Sequence, residues 1–180
     1  LMSQNFMTGK WEAGLKYLFP LFAFALGVLI AEQIQHKYKY AKRLHWRQGI
    51  LGAEIIILFI VGFIPQRGNM IATVLVSFAC AMQVQSFRKV NGFSYASTMC
   101  IGNLRSGTAA LSFYLRERRP EQLRQAMYYL GIIVLFAIGA GIGGNLSANY
   151  GIHMIWVSCG LLIVSFLLMF LDIEARRSRA

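Results

Sequence analysis

The chain has 180 residues, of which 57% are hydrophobic and only 14% are charged, and its net charge of +11 comes from 18 Lys and Arg against 7 Asp and Glu. A soluble domain is about half apolar and about a quarter charged, so this composition excludes an ordinary soluble protein and favours an integral membrane protein. Nucleic-acid binding is not indicated, because the cations cluster between apolar runs and no nucleic-acid-binding motif accompanies them.

Five apolar runs, each near the length that crosses about 30 Å of hydrocarbon, predict an all-α, polytopic transmembrane bundle. The runs cover about residues 13–34, 48–64, 70–87, 122–142 and 152–171. Pro20 is expected in the first turns of its helix, where its missing N–H costs little. The uncharged residues 143–151 predict a turn between the last two spans. Because Leu1 is not a natural start, a sixth span is expected upstream.

The distribution of cations predicts the orientation of these spans. All Lys and Arg except Lys10, Lys16 and Arg67 lie after the first span, between the third span and the first residues of the fourth (which include Arg124), or in the C-terminal tail. Basic loops stay on the cytoplasmic side, so residue 1 is predicted outside and the C-terminus in the cytoplasm. The whole chain, 1–180, is then one transmembrane domain with a basic cytoplasmic tail at 173–180.

Residues 91–111 combine three glycines and two asparagines with several hydroxyl side chains, a composition unlike that of a lipid-facing helix. Two interpretations are open. The segment is either broken backbone at membrane depth, which must be buried in protein or line a polar cavity, or a loop followed by an interfacial helix. An amphipathic pattern from Leu104 predicts that short helix, and Pro120 beside Glu121 predicts the start of the fourth span.

Spans one and four resemble each other when the chain is shifted by 112 residues. Six of the fifteen positions from 17 to 31 are then identical, and the small-residue pair Gly27 and Ala31 falls on Gly139 and Gly143. Such pairs let membrane helices approach closely. With a missing upstream span, residues 1–65 are the remainder of one half-repeat and 70–172 the other. Each half then crosses the membrane three times, and an odd number of crossings reverses the orientation of the second half. The sequence therefore predicts an inverted three-plus-three pseudo-repeat, an architecture typical of transporters.

Several short motifs follow one another as in a known family. Ala81 to Gln85, Arg88, and the run Thr98-Met-Cys-Ile-Gly-Asn103 precede a basic linker and two spans. This order resembles the YoaK family, bacterial membrane proteins of unknown function with about six helices. The resemblance implies a Thr-Gly-Asn or Thr-Gly-Thr motif after the first helix of each half. Here Ile101 replaces that threonine, before Gly102 and Asn103.

Polar side chains within the spans are the candidate site residues, because such groups are costly in hydrocarbon. Glu54 lies too deep to reach water easily, so it is either a proton or cation site or a structural partner of another helix. Gln83 and Gln85 are two apart and so point to different helix faces. Arg88 is either an anion ligand or a positive-inside anchor, and Asn103 with Gly102 either caps the helix at Leu104 or directs its amides at an anion.

Enzymatic chemistry is not predicted. The chain has no metalloprotease, nucleophile-elbow or phosphate-loop motif, and no catalytic residue, cofactor or metal ligand set is assigned. The first hypothesis is a carrier of a small solute, with Glu54, Gln83, Arg88, Gly102 and Asn103 near the pathway. The alternative is a membrane scaffold or sensor that packs through the stripes Gly27/Ala31 and Gly139/Gly143. A homodimer in the lipid bilayer fits either function.

Overall fold

The computed structural model describes residues 1–38, 46–90, 93–94 and 100–177. Within these ranges the chain is almost wholly helical, in agreement with the all-α prediction. The helices are α1 (Met2–Met7), α2 (Trp11–Tyr38), α3 (Trp46–Val61), α4 (Asn69–Ser86), α5 (Cys100–Glu117), α6 (Pro120–Tyr150) and α7 (Ile155–Arg177). Two antiparallel two-residue strands, β1 (Lys89–Val90) and β2 (Phe93–Ser94), were not predicted.

Three described stretches are long and apolar enough to cross a membrane by length and composition: Trp11–Tyr38, Gln66–Ser86 and Pro120–Leu171. This finding fits a membrane protein. The third stretch has 52 residues and contains the predicted fourth and fifth spans. The predicted second span, α3, has 16 residues. At 1.5 Å per residue it is about 24 Å long, less than the roughly 30 Å of hydrocarbon, so five spans remain a prediction.

Two boundary predictions were wrong around the long helices. α2 begins at Trp11, so Pro20 lies in the helix interior and its ring removes one backbone hydrogen bond there. The turn predicted over residues 143–151 is helical as far as Tyr150. The side-chain amide of Asn149 donates to the backbone carbonyl oxygen and to the side-chain oxygen of Asn145, at 3.0 and 3.1 Å. These hydrogen bonds stabilise the last turn of the helix. Gly151, with φ of +71°, then ends the helix.

The short helix predicted from Leu104 is present in the segment after the third span, but it begins earlier, at Cys100. Residues 91–92 and 95–99 of the predicted break lie outside the described residues, and from Cys100 the chain is continuous helix. Gly102 and Asn103 therefore lie in the first turn of α5, and Asn103 is not the N-cap of a helix that begins at Leu104. A helix accounts for the buried positions Asn103, Gly107 and Ala110, which follow the spacing of one helix face. Pro120 does begin α6, as predicted.

The described chain divides into two compact units, one formed by Leu1–Ser86 with Tyr150–Ala180 and the other by Phe87–Asn149. In the first unit, α2 packs on α4 through the small residues Ala23, Gly27 and Ala31. A Cβ atom at Gly27 would lie 2.6 Å from the carbonyl oxygen of Phe78. The two backbones therefore touch at this point, an arrangement that only a glycine permits.

α3 packs between α4 and α7 in the same unit, and two side chains at and just before the start of α7 contact the open end of α3. The Phe63 amide bonds to the carbonyl of Ile60, which leaves the Phe59 carbonyl without its helical partner. Trp156 Nε1 donates to that Phe59 oxygen at 3.4 Å, and His153 Nδ1 lies 3.1 Å from the oxygen of Gly62. These contacts supply partners that a helix C-terminus lacks.

In the second unit, α5 contacts α6 at another glycine. A Cβ atom at Gly107 would lie 3.0 Å from the Cβ of Tyr129, which is buried together with Ala126. Asn103 lies one turn before Gly107 and is also buried. By contrast, Gly139 and Gly143 are exposed, and an added Cβ would meet no described atom within 4 Å.

The two glycines that the repeat aligns are expected to respond differently to one methyl group. Gly27→Ala should lower the free energy of unfolding by about 1–3 kcal/mol, because the new Cβ overlaps the Phe78 carbonyl and forces α2 away from α4. The matched change Gly139→Ala should be neutral or stabilise slightly, since alanine is the better helix former. Thermal unfolding of both purified variants in detergent measures the difference; equal losses would contradict the close contact.

Candidate functional site

A cavity of about 440 Å³ opens in the first unit, among α3, α4 and α7. Its polar wall consists of Glu54, Cys80, Gln83, Ser158 and Ser165, and its apolar wall of Leu58, Val76, Ile155, Leu161 and Leu162. Small-molecule sites are typically concave, mostly apolar and about 300–1,000 Å³ in volume, with a few convergent polar groups. The cavity meets each of these criteria.

Helical spacing explains why these side chains converge. Val76, Cys80 and Gln83 are four and then three residues apart, so they lie on one face of α4. Ser158 and Ser165 are seven apart and lie on one face of α7. Each helix therefore presents a short polar line to the same space, although most of its surface is apolar.

Glu54 is the acidic group of the cavity. It lies in the interior of α3, its side chain is 3% exposed, and its Oε2 atom has no hydrogen-bond partner among the described residues. A buried carboxylate is normally paired or hydrogen-bonded, because its transfer out of water is otherwise very costly. The alternative of a structural partner on another helix is therefore not supported for this oxygen, which makes Glu54 the strongest candidate for binding.

The two glutamines of α4 take different roles, as their two-residue spacing predicts. Gln83 lines the cavity with Glu54, whereas the Gln85 amide donates to a carboxylate oxygen of Glu32 on α2. Glu32 is exposed and Gln85 is half-buried. The structure thus brings Glu54 and Gln83 together and assigns Gln85 to helix packing.

Three polar residues of the cavity were missed in the sequence. Cys80, Ser158 and Ser165 are not among the site residues predicted from the sequence. The seven-residue spacing of the two serines on an otherwise apolar helix could have indicated a shared face. A serine in a membrane helix can, however, satisfy its hydroxyl by bonding the backbone of its own helix, so its presence alone does not indicate a site. Ser165 does so: its hydroxyl donates to the Leu161 carbonyl at 3.0 Å.

The other predicted binding residues belong to the second unit. Arg88 is exposed between α4 and β1, and Gly102 is exposed in the first turn of α5. Asn103 is buried on the face of α5 that carries Gly107. Their predicted role in a pathway remains a prediction.

The predicted packing stripes differ in their surroundings. Gly27 and Ala31 are buried within the first unit, against α4. Gly139 and Gly143 are exposed on α6. The first stripe is therefore occupied within the chain, and the second presents a small-residue surface.

Metal binding receives no support from the described residues, where no three His, Cys, Asp or Glu side chains are grouped to hold an ion. Cys80, Cys100 and Cys159 are free thiols. Cys159 is buried and its sulfur lies 3.9 Å from the Ile55 carbonyl oxygen, so it packs α7 against α3.

A comparison with protein families tests the family resemblance that the sequence motifs suggested. A family model described as "Protein of unknown function (DUF1275)" matches residues 1–168. The chain belongs to the DUF1275 family. The resemblance to the YoaK family, which is a DUF1275 family, is confirmed. No curated protein and no solved structure matches the chain.

Substitution of Glu54 tests whether its carboxylate is a structural partner. Because Oε2 has no partner among the described residues, Glu54→Gln should leave the free energy of unfolding within about 1 kcal/mol of the parent or above it. Loss of a buried charge that was paired would instead cost about 3–5 kcal/mol. Chemical unfolding in detergent gives the value, with Glu12→Gln, at an exposed acid of α2, as the control for charge removal alone.

Proposed function

We propose that this DUF1275 protein is a carrier for a small solute in the bacterial inner membrane, and that the solute binds in the cavity at Glu54. The observation that supports the proposal is the convergence of polar groups from three helices on one cavity around a buried carboxylate, whose Oε2 atom has no hydrogen-bond partner among the described residues. An ionisable residue inside a membrane segment is costly and typically functional.

The packing of the first unit is consistent with such a site. Where α2 meets α4, small residues bring the backbones into contact, and no space remains at Gly27. Where α3 packs against α4 and α7, the cavity opens among the three helices. The polar residues of the cavity lie at the open seam, whereas the tight seam has alanine and glycine on α2 and a single described polar pair, Gln85 and Glu32.

The finer architecture belongs to the same proposal. Five spans here and an inverted three-plus-three repeat would place a binding site near the repeat interface, as in known carriers. The equivalent positions Gly27 and Gly139 do not have equivalent neighbours in the described residues. The repeat therefore rests on the sequence match of spans one and four.

A scaffold or sensor remains the competing function, and one observation favours it. Gly139 and Gly143 are exposed on α6, where a partner helix could approach closely. Gly27 and Ala31 are already covered by α4 and offer no such surface. The carrier is preferred because a scaffold has no need of a buried carboxylate that faces a cavity.

A thermal-shift screen of the purified protein against a metabolite panel tests the carrier. A solute that binds in the cavity should raise the melting temperature of the parent by about 5 °C at a hundredfold excess over Kd, and the rise should be lost in Glu54→Gln. Glu12→Gln is the matched control and should respond like the parent. Uptake of the same solute into proteoliposomes completes the test. If no solute stabilises the parent and none is taken up, the scaffold replaces the carrier.

Reporter fusions test the proposed orientation. The basic segments support a cytoplasmic C-terminus, so a green fluorescent protein fused after residue 180 should fluoresce and alkaline phosphatase at that position should be inactive. Alkaline phosphatase fused in the turn Gln66–Gly68, on the predicted outer side, should be active. The reverse pattern would overturn the orientation without bearing on the cavity.

A further inference from the structure

We infer that the cavity is selective for a small organic cation, a protonated amine, with Glu54 as its counter-charge. This inference rests on the proposed function, since it names the class of solute for the same cavity. It also departs from the anion-binding interpretations of Arg88 and of Asn103, which lie in the second unit.

The charge of the cavity wall is the first step. Among the described residues that line it, Glu54 is the one acid, and none is Lys, Arg or His. When Glu54 is ionised, the wall therefore supplies one negative charge and no positive one. A cation placed beside the carboxylate offsets the cost of keeping that charge away from water, whereas an anion increases it.

The orientation of the hydrogen-bonding groups is the second step. The Ser165 hydroxyl donates its proton to the Leu161 carbonyl, so its oxygen is left with lone pairs as the group available to an occupant. The carboxylate of Glu54 also only accepts when ionised. Both groups suit an occupant that donates hydrogen bonds, as an ammonium group does with up to three N–H bonds.

The apolar wall is the third step, and it favours an organic cation over a metal ion. Half of the lining residues are aliphatic, among them Leu58, Val76 and Leu162, and they would contact the alkyl part of an amine. A volume of about 440 Å³ equals that of about fifteen water molecules at roughly 30 Å³ each. This space is far larger than a bare metal ion requires and is sufficient for an amine of several carbons.

Three probes of similar size and different charge test the inference. The purified full chain is melted in n-butylammonium chloride, sodium butyrate or n-butanol, at equal concentration and in the same background of sodium chloride. Saturating n-butylammonium should raise the melting temperature by about 5 °C, and the other two probes should leave it unchanged. The rise should disappear in Glu54→Gln and persist in Glu32→Gln, the matched change at an exposed acid of the same unit.

A second variant keeps the test informative if Glu54→Gln does not fold. Gln83→Lys brings a covalent ammonium group into the cavity and should abolish the response to n-butylammonium while Glu54 is still present. A Gln83→Lys variant that responds like the parent would overturn the inference. So would an equal rise with butyrate or butanol, or a rise that Glu54→Gln retains.

Two further arms separate this inference from the carrier itself. If the occupant is an amine, replacing sodium chloride by potassium chloride should not shift the melting temperature. If it does shift the melting temperature, and n-butylammonium causes no further rise, the occupant is a metal ion and the inference of an organic cation is wrong. Proteoliposome uptake is measured apart from binding, with protein-free liposomes as the blank. Amine binding at Glu54 without uptake supports the cation site and overturns the carrier. Uptake of anions or neutral solutes alone supports the carrier and overturns the cation site.

Discussion

The structure depends on one constraint, that backbone amides and carbonyls in hydrocarbon must find partners within the protein. Continuous helix is the simplest way to meet it, and helix ends are the places where it is hardest to meet. The C-terminal end of α3 illustrates the problem, because the Phe59 carbonyl is not bonded by the Phe63 amide. Trp156 donates to that carbonyl from α7, so the partner comes from tertiary packing.

This contact also determines where α7 can lie. His153 and Trp156 bind the end of α3, and Gly62 leaves the space that the Trp156 indole fills, since an added Cβ would overlap the ring. One helical turn further along, Cys159 packs against the Ile55 carbonyl. With α7 held at this end of α3, its polar positions at Ser158 and Ser165 reach the same space as Glu54.

Much of the helical architecture could be predicted from the sequence, because the length and polarity of apolar runs report directly on the hydrocarbon requirement. The first, third and fifth spans lie within α2, α4 and α7 with small differences at their ends. The turn at residues 143–151 was wrong because glycine and asparagine favour turns in water. In α6 the Asn149 side chain instead bonds the preceding turn, a local contact that composition does not reveal.

The candidate site could be predicted in part, for a similar reason. Glu54 and Gln83 were identified because polar groups are costly in a span, and this cost is a property of the residue alone. Ser165 was missed because a hydroxyl that bonds its own helix carries little cost in hydrocarbon. The prediction of Asn103 as a cap failed because it needed the exact start of α5, and helix boundaries depend on contacts that spacing does not determine.

The contrast between the two seams of the first unit connects this packing to function. Alanine and glycine at Ala23, Gly27 and Ala31 bury helix against helix with nothing left to bind. At the other seam lies a carboxylate where an apolar side chain of similar volume would pack at least as stably. Its removal is therefore expected to be neutral or stabilising. The proposed occupant of the cavity would supply the partner that Glu54 Oε2 lacks among the described residues.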